Sequence, residues 1–121
     1  MIDWSDGYHT EALYTYGYYK ELSPSLQKLA VLLAGYETLP STDDDVHMEL
    51  GFGQGISINI HAASQRGRYI GNDFNPSHVA HAQVLAQAAH SHIELTDDSF
   101  AQLDARTDFL MCNSIRLHVI W

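Results

Sequence analysis

Three glycines alternate with other residues in Glu49-Leu50-Gly51-Phe52-Gly53-Gln54-Gly55, directly behind an acid and directly ahead of the apolar segment from Ile56 to Ala63. That order reads as the turn from a strand into a helix. Without a Cβ at Gly51, Gly53 and Gly55, the backbone can take left-handed dihedrals and lie close against a ligand. A helix beginning near Gly55 presents N–H groups with no intrahelical partner and a partial positive charge, which favour an anionic or polar group. A nucleotide-like ligand needs both features. A second acid, Asp73, follows the strand-like run Arg68-Tyr69-Ile70-Gly71-Asn72.

The spacing separates two classes of ligand. A dinucleotide fingerprint reads G-x-G-x-x-G with an acid about 20 residues on, whereas the run here is G-x-G-x-G behind Glu49. A nicotinamide-dependent oxidoreductase is therefore disfavoured. The glycine run, the acid before it and Asp73 at the end of the second strand together resemble the class I S-adenosylmethionine-dependent methyltransferases.

That resemblance implies an α/β fold, a Rossmann-like parallel sheet flanked by helices, with S-adenosylmethionine as cofactor. It implies that Gly51, Gly53 and Gly55 lie under the methionine part of the cofactor and that Asp73 takes the ribose hydroxyls. Glu49 would lie near the amino-acid part, often acting through water; a carboxylate that merely accepts loop N–H groups is the alternative and is compatible with it. Asp98 would meet the adenine amino group and Phe100 the ring, with Asp97 as the competing acid. Asp98 or Ser99 could instead cap a helix.

The elements that must position these residues follow from local pattern. Residues 1–45 read as an aromatic-rich lid and a helix, and residues 46–121 as the cofactor-binding core. In the first stretch Trp4, Tyr8, Tyr14, Tyr16, Tyr18 and Tyr19 have no clean period. Such rings usually serve packing, but a tyrosine could close over a flat or cationic ligand. Tyr16 is placed among the cofactor contacts on that ground. Ser23-Pro24 signals a helix start, and Leu26, Leu29, Ala30, Leu32 and Leu33 keep helical spacing up to Gly35, which predicts a helix packed on the sheet.

Val46 to Leu50 is the first strand, with Glu49 near its carboxyl end, where open α/β sheets bind ligands. A helix from about Gln54 to Gln65 precedes the second strand. Asn75-Pro76 opens an alanine-rich helix to Ala89, with Asn75 as its cap. His92 to Thr96 is the third strand. Asp43-Asp44-Asp45 reads as a solvated loop. His78 and His81 are expected to be solvated helix histidines, because no Cys or acid joins them at zinc-ligand spacing, and no metal is expected.

Composition bounds the rest. The chain has 121 residues and a formal net charge of −9, without a Lys/Arg cluster, which argues against nucleic-acid binding. A lone cysteine, Cys112, cannot form an internal disulfide and fits a reducing compartment, so the cytoplasm is expected. No leader pattern and no bilayer-length apolar run is visible, which predicts a soluble protein without a membrane partner.

At about 30 residues per strand–helix unit, the length leaves room for about four strands, whereas the resembled family has more. Thr107 to Trp121 should hold the fourth strand, beginning near Asp108-Phe109 and finishing at Leu117 to Trp121 with Asn113, Ser114 and Arg116 interrupting it. Tyr14 to Pro24 and the stretch from Glu49 onward are similar to a bacterial methyltransferase subgroup that carries a further regulatory region. That subgroup has Leu-His-Gly-Ile-Trp where this chain has Leu117-His118-Val119-Ile120-Trp121.

The expectation is a truncated, incomplete amino-terminal part with a reading frame disturbed after Asp108. Its sheet edge would be exposed, and homodimer formation through that edge is one remedy. No catalytic base can be named; His118 qualifies only by its place near a strand end, and an incidental histidine is the stronger reading. The function that follows is the cofactor-binding part of an S-adenosylmethionine-dependent methyltransferase, acceptor unknown. The alternative is a catalytically inactive cofactor-binding or interaction module.

Overall fold

The structure is a computed structural model that describes residues 15–104 and 115–119. A 3-10 turn, Lys20–Leu22, leads into helix α1, Pro24–Leu33. Strand β1 is Val46–Leu50, helix α2 Ile56–Ser64, strand β2 Arg68–Asn72 and helix α3 Pro76–Ala88. Strand β3 is Ile93–Thr96, helix α4 Phe100–Asp104 and strand β4 Ile115–Val119. The four strands form one sheet in the order β3-β2-β1-β4, every pair parallel. The parallel α/β architecture and its four strands agree with the sequence reading.

The register decides where a site can form. Leu50 lies opposite Asn72, Asn72 opposite Thr96, and Leu50 opposite Val119. The carboxyl ends of all four strands are therefore level, and the loops after β1, β2 and β3 leave the sheet side by side. The chain passes outward from β1 to β3 and then returns to the other side of β1 at β4. That reversal beside β1 is the switch point at which open α/β sheets make a crevice.

Alternation along β1 divides the core into two faces. Val46 and Met48 pack with Ile70, Leu103 and the half-buried Leu50 on one face. On the other, Phe52, Ile58, Tyr69, Val79 and Ala82 pack with Ala62, Ile93 and Leu95, so α2 and α3 cover that side. Ile58 fills its centre, and a Cβ on Gly71 would stand 2.6 Å from Ile58 Cδ1 and 2.9 Å from Phe52 Cδ1. Gly71 therefore lets α2 sit down on β2.

Several boundaries differ from expectation for identifiable reasons. Helix α2 starts at Ile56 rather than Gln54, because Gly55 at φ +78° cannot belong to a right-handed helix. Helix α1 does not lay its apolar stripe on the sheet: Pro24 is its one buried residue, and Leu29, Leu32 and Leu33 are exposed. Among the described residues α1 docks through its first turn, where Pro24 lines a small void with Leu22, His47 and Tyr69.

Ser23 stands at the N-cap of α1 without a capping bond from its side chain. Gln65, at the end of α2, does the work instead, accepting from the Ser25 N–H at 3.1 Å and donating to Ser23 Oγ at 2.8 Å. Strand β3 starts at Ile93 rather than His92, and β4 includes Arg116. Asp108-Phe109, Cys112 and the rings of Trp4, Tyr8 and Tyr14 lie outside the described residues. Among the described residues, no helix is long and apolar enough to cross a membrane.

Ile58 is 1% exposed at the centre of the larger cluster. Ile58→Ala is expected to destabilise the chain by about 2–5 kcal/mol through lost burial and a residual cavity. A urea melt should show a lower midpoint at unchanged slope; an unchanged midpoint would contradict the packing described.

Candidate functional site

The glycine loop adopts the backbone its composition allows. Gly51, Gly53 and Gly55 have φ of +66°, +61° and +78°, a region that costs any residue with a Cβ. Gly55 is constrained twice, since a Cβ there would also collide with Ala82 Cβ on α3. Gly51 differs: among the described residues a Cβ there would meet nothing within 4 Å, so the loop is open to them on that side.

The end of β2 holds this loop. The N–H groups of Gly51 and Phe52 both donate to the Asn72 carbonyl, at 2.8 and 3.2 Å, and the Gly53 N–H donates to Asp73 Oδ2 at 2.8 Å. Asn59 on α2 donates to the carbonyls of Gly55 and Ala82, at 2.8 and 3.1 Å, tying the loop to α3. His81 Nδ1 lies 2.8 Å from the Gln54 carbonyl and, facing an acceptor, must carry the proton.

Asp73 is the hub. It is 5% exposed, and its Oδ1 accepts from the Asn75 N–H at 3.0 Å and from His78 Nδ1 at 3.1 Å. Its own N–H donates to the Thr96 carbonyl. Beside it Asn72, 1% exposed, donates from Nδ2 to the Asp98 carbonyl at 2.8 Å. The loops after β1, β2 and β3 are thus joined through two adjacent residues.

No family model matches the chain. An uncharacterized protein from Synechocystis sp. is 36% identical over 122 residues, a match that covers 99% of this chain and 24% of the relative. PKMT2 from Rickettsia typhi, solved in complex with AdoHcy, superposes with a TM-score of 0.66 at 18% identity, over 75% of this chain and 18% of that one. An RNA methyltransferase from Salinibacter ruber, in complex with S-adenosyl-L-homocysteine, gives a TM-score of 0.52 at 19% identity, over 80% of this chain and 59% of that one. The fold is that of the class I methyltransferases. This chain spans about a quarter of the length of its Synechocystis relative.

Within the methyltransferase fold, the residues singled out from sequence fall at one end of the sheet to different degrees. Gly53 bonds Asp73 directly, Gly51 bonds the neighbouring Asn72, and Gly55 is tied to the same loop through the Phe52 carbonyl and Asn59. Asp98 joins them through Asn72 and is half-buried, while Asp97 is exposed. Phe100 opens α4 and is 46% exposed. The cap of that helix is Ser99, whose Oγ accepts from the Gln102 N–H while Gln102 Oε1 accepts from the Ser99 N–H. This reciprocal capping box leaves Asp98 out of the cap.

Tyr16 is 69% exposed, with its ring edge-on to His81 at 5.5 Å. The Tyr19 N–H donates to Ser57 Oγ at 2.7 Å, and Tyr18 meets His61 edge-on at 5.4 Å. The strap of residues 15–19 therefore crosses the first turn of α2.

Two groups of residues were not anticipated. His78 and His81 are not solvated helix histidines: they reach back to Asp73 and to the glycine loop. Their spacing put them on one helix face, but only the docking of α3 brought that face to the loop. Asn59 and Asn72 are buried clamps whose signal, a polar residue inside an apolar run, has many other causes. His90, just past α3, takes φ +52°, a left-handed helix terminus.

Glu49 sits where burial disfavours its charged form. It is 5% exposed, its Oε1 has no hydrogen-bond partner among the described residues, and burial pushes its carboxyl from an ordinary 4.5 up to about 7. It lies on the sheet face that also carries His47, Tyr69 and, from α2, His61, around a small void. Burial of a carboxyl in such surroundings disfavours its charged form.

The folded chain consequently binds the Glu49 proton more tightly than the unfolded chain. The stability this contributes is complete below pH 4.5 and is lost as pH rises through about 7, on the order of 3 kcal/mol. Glu49→Gln should therefore raise Tm relative to the wild type at about pH 8 and leave it nearly unchanged at about pH 4. A Tm difference independent of pH would refute the buried acid as its source.

Proposed function

We propose that this chain is the S-adenosylmethionine-binding part of a methyltransferase. The observation that carries the reading is the closed loop itself: three glycines at positive φ between β1 and α2, fastened to the acid that ends β2 by the Gly53–Asp73 bond. The fit to the cofactor rests on two features of the chain. Among the described residues, open space beside Gly51 leaves room for a group against the backbone, and the buried Glu49 Oε1 lacks a donor.

In this reading the bound cofactor supplies an electrophilic methyl group on a sulfonium sulfur, which a nucleophile on the acceptor displaces. The chain's own residues bind and orient. Gly51, Gly53 and Gly55 give the methionine part close access to the backbone and to the first turn of α2. Asp73 accepts from the ribose, and Asp98 and Phe100 serve the adenine. Tyr16 offers an aromatic face, which attracts cations. Glu49, titrating near neutrality, meets the cofactor's ammonium group; a neighbouring cation favours the carboxylate, so binding near pH 7 releases a proton.

Residues 1–45 form the lid and helix of this reading and residues 46–121 its core. The net charge of −9 supports a small-molecule cofactor over a polyanion on this part of the protein, and the lone cysteine supports a cytoplasmic setting. Self-association along an outer strand of the sheet belongs to the same reading.

Calorimetric titration with S-adenosylhomocysteine, beside NAD as control, tests it. The wild-type chain should bind S-adenosylhomocysteine saturably and NAD weakly. Asp73→Asn, which keeps an acceptor for the Gly53 N–H, should bind at least about tenfold more weakly, as expected for losing a charged hydrogen-bond acceptor. A folded wild-type chain that binds neither ligand would end the proposal.

A further inference from the structure

The Asp73–His78 pair lies inside the site, yet the cofactor reading gives His78 no part. Asp73 ends β2, and His78 is the third residue of α3, behind the Asn75 cap and Pro76. Both side chains are largely withdrawn from solvent, 7% and 13% exposed, and Oδ1 meets Nδ1 at 3.1 Å. An ionised carboxylate only accepts, so the imidazole must hold its proton on Nδ1.

The lone pairs of Asp73 can be counted. Each carboxylate oxygen offers about two acceptor directions. Oδ1 uses both, one on the Asn75 N–H and one on His78. Oδ2 uses one, on the Gly53 N–H. What remains for a ligand is the second direction of Oδ2. The terminal torsion of an aspartate is broad, so a carboxylate with a vacant site on Oδ1 can rotate its plane and point Oδ2 away from the ligand. Two backbone donors fix Asp73 to the loop and to its own turn. The third donor, which stops it turning, is a side chain.

We infer that His78 is a positioning residue for ribose recognition: by filling the second acceptor site of Oδ1, it holds the Asp73 carboxylate so that Oδ2 alone faces a ribose hydroxyl. The inference rests on the cofactor reading above. It deepens that reading, because it makes hydroxyl recognition depend on a residue of α3 that does not itself touch the ligand.

The test measures binding of two ligands, S-adenosylhomocysteine and its analogue lacking both ribose hydroxyls, to the 121-residue chain and its variants. His78→Phe should weaken S-adenosylhomocysteine about tenfold, the order expected when a charged acceptor is misaligned, while binding the dideoxy analogue as the wild type does. His78→Gln, whose amide can donate to Oδ1, should recover most of the loss. His78→Met, of similar volume and without a donor, takes the place of the phenylalanine variant if that variant does not melt cooperatively.

Equal weakening of both ligands would overturn the inference and make His78 a support of the loop. Unchanged binding of S-adenosylhomocysteine would overturn it as well. A wild-type chain that binds neither ligand is a different result, which removes the cofactor reading and this inference with it.

Discussion

A single carboxylate holds the candidate site together. Asp73 accepts from Gly53 in the loop after β1, from Asn75 in its own turn and from His78 on α3. A loop with three residues at positive φ has no regular backbone ladder of its own, so its N–H groups must find acceptors elsewhere. The end of β2 supplies them, Asn72 through its carbonyl and Asp73 through its side chain. Hydrogen bonds to a charged, water-excluded acceptor are stronger than neutral ones, which suits a loop that must keep one shape while exposing backbone to a ligand.

The register of the sheet makes this possible. Because Leu50, Asn72 and Thr96 are level, the residue after β2 stands beside the loop after β1, and the Asp73 N–H reaches the Thr96 carbonyl on β3. A slip of one residue would turn every side chain of β2 to the opposite face. Asn72 would then no longer reach the carbonyl of Asp98, and the apolar contacts of Ile70 and Tyr69 would exchange sides. Core packing and site geometry are therefore specified by the same alternation.

That alternation also explains where charge is stored. Along β1, Val46 and Met48 face one apolar cluster, while His47 and Glu49 face α2. His47 stacks on Tyr69 at 4.8 Å, and burial, aided by the nearby Asp45, raises the Tyr69 hydroxyl to about 12. Burial thus disfavours the charged forms of Glu49 and Tyr69 on this face. Glu49 is the member nearest the loop, and burial brings its titration to about 7.

The strands β1 and β2, the glycine turn, the Asn75 cap and the acid at 73 could all be read from the sequence, because each is set by residue type over a few neighbours: alternation, absent Cβ atoms, a short side chain before proline. Tertiary structure alone decided which side chains meet. Gln65 caps a helix 40 residues away, His78 and His81 turn inward to the loop, and the stripe of α1 stays exposed although its spacing is that of a packed helix. The physical reason is range. Dihedral preference and hydrophobic period act within a turn of chain, whereas capping, charge pairing and burial depend on what another element brings to the same place.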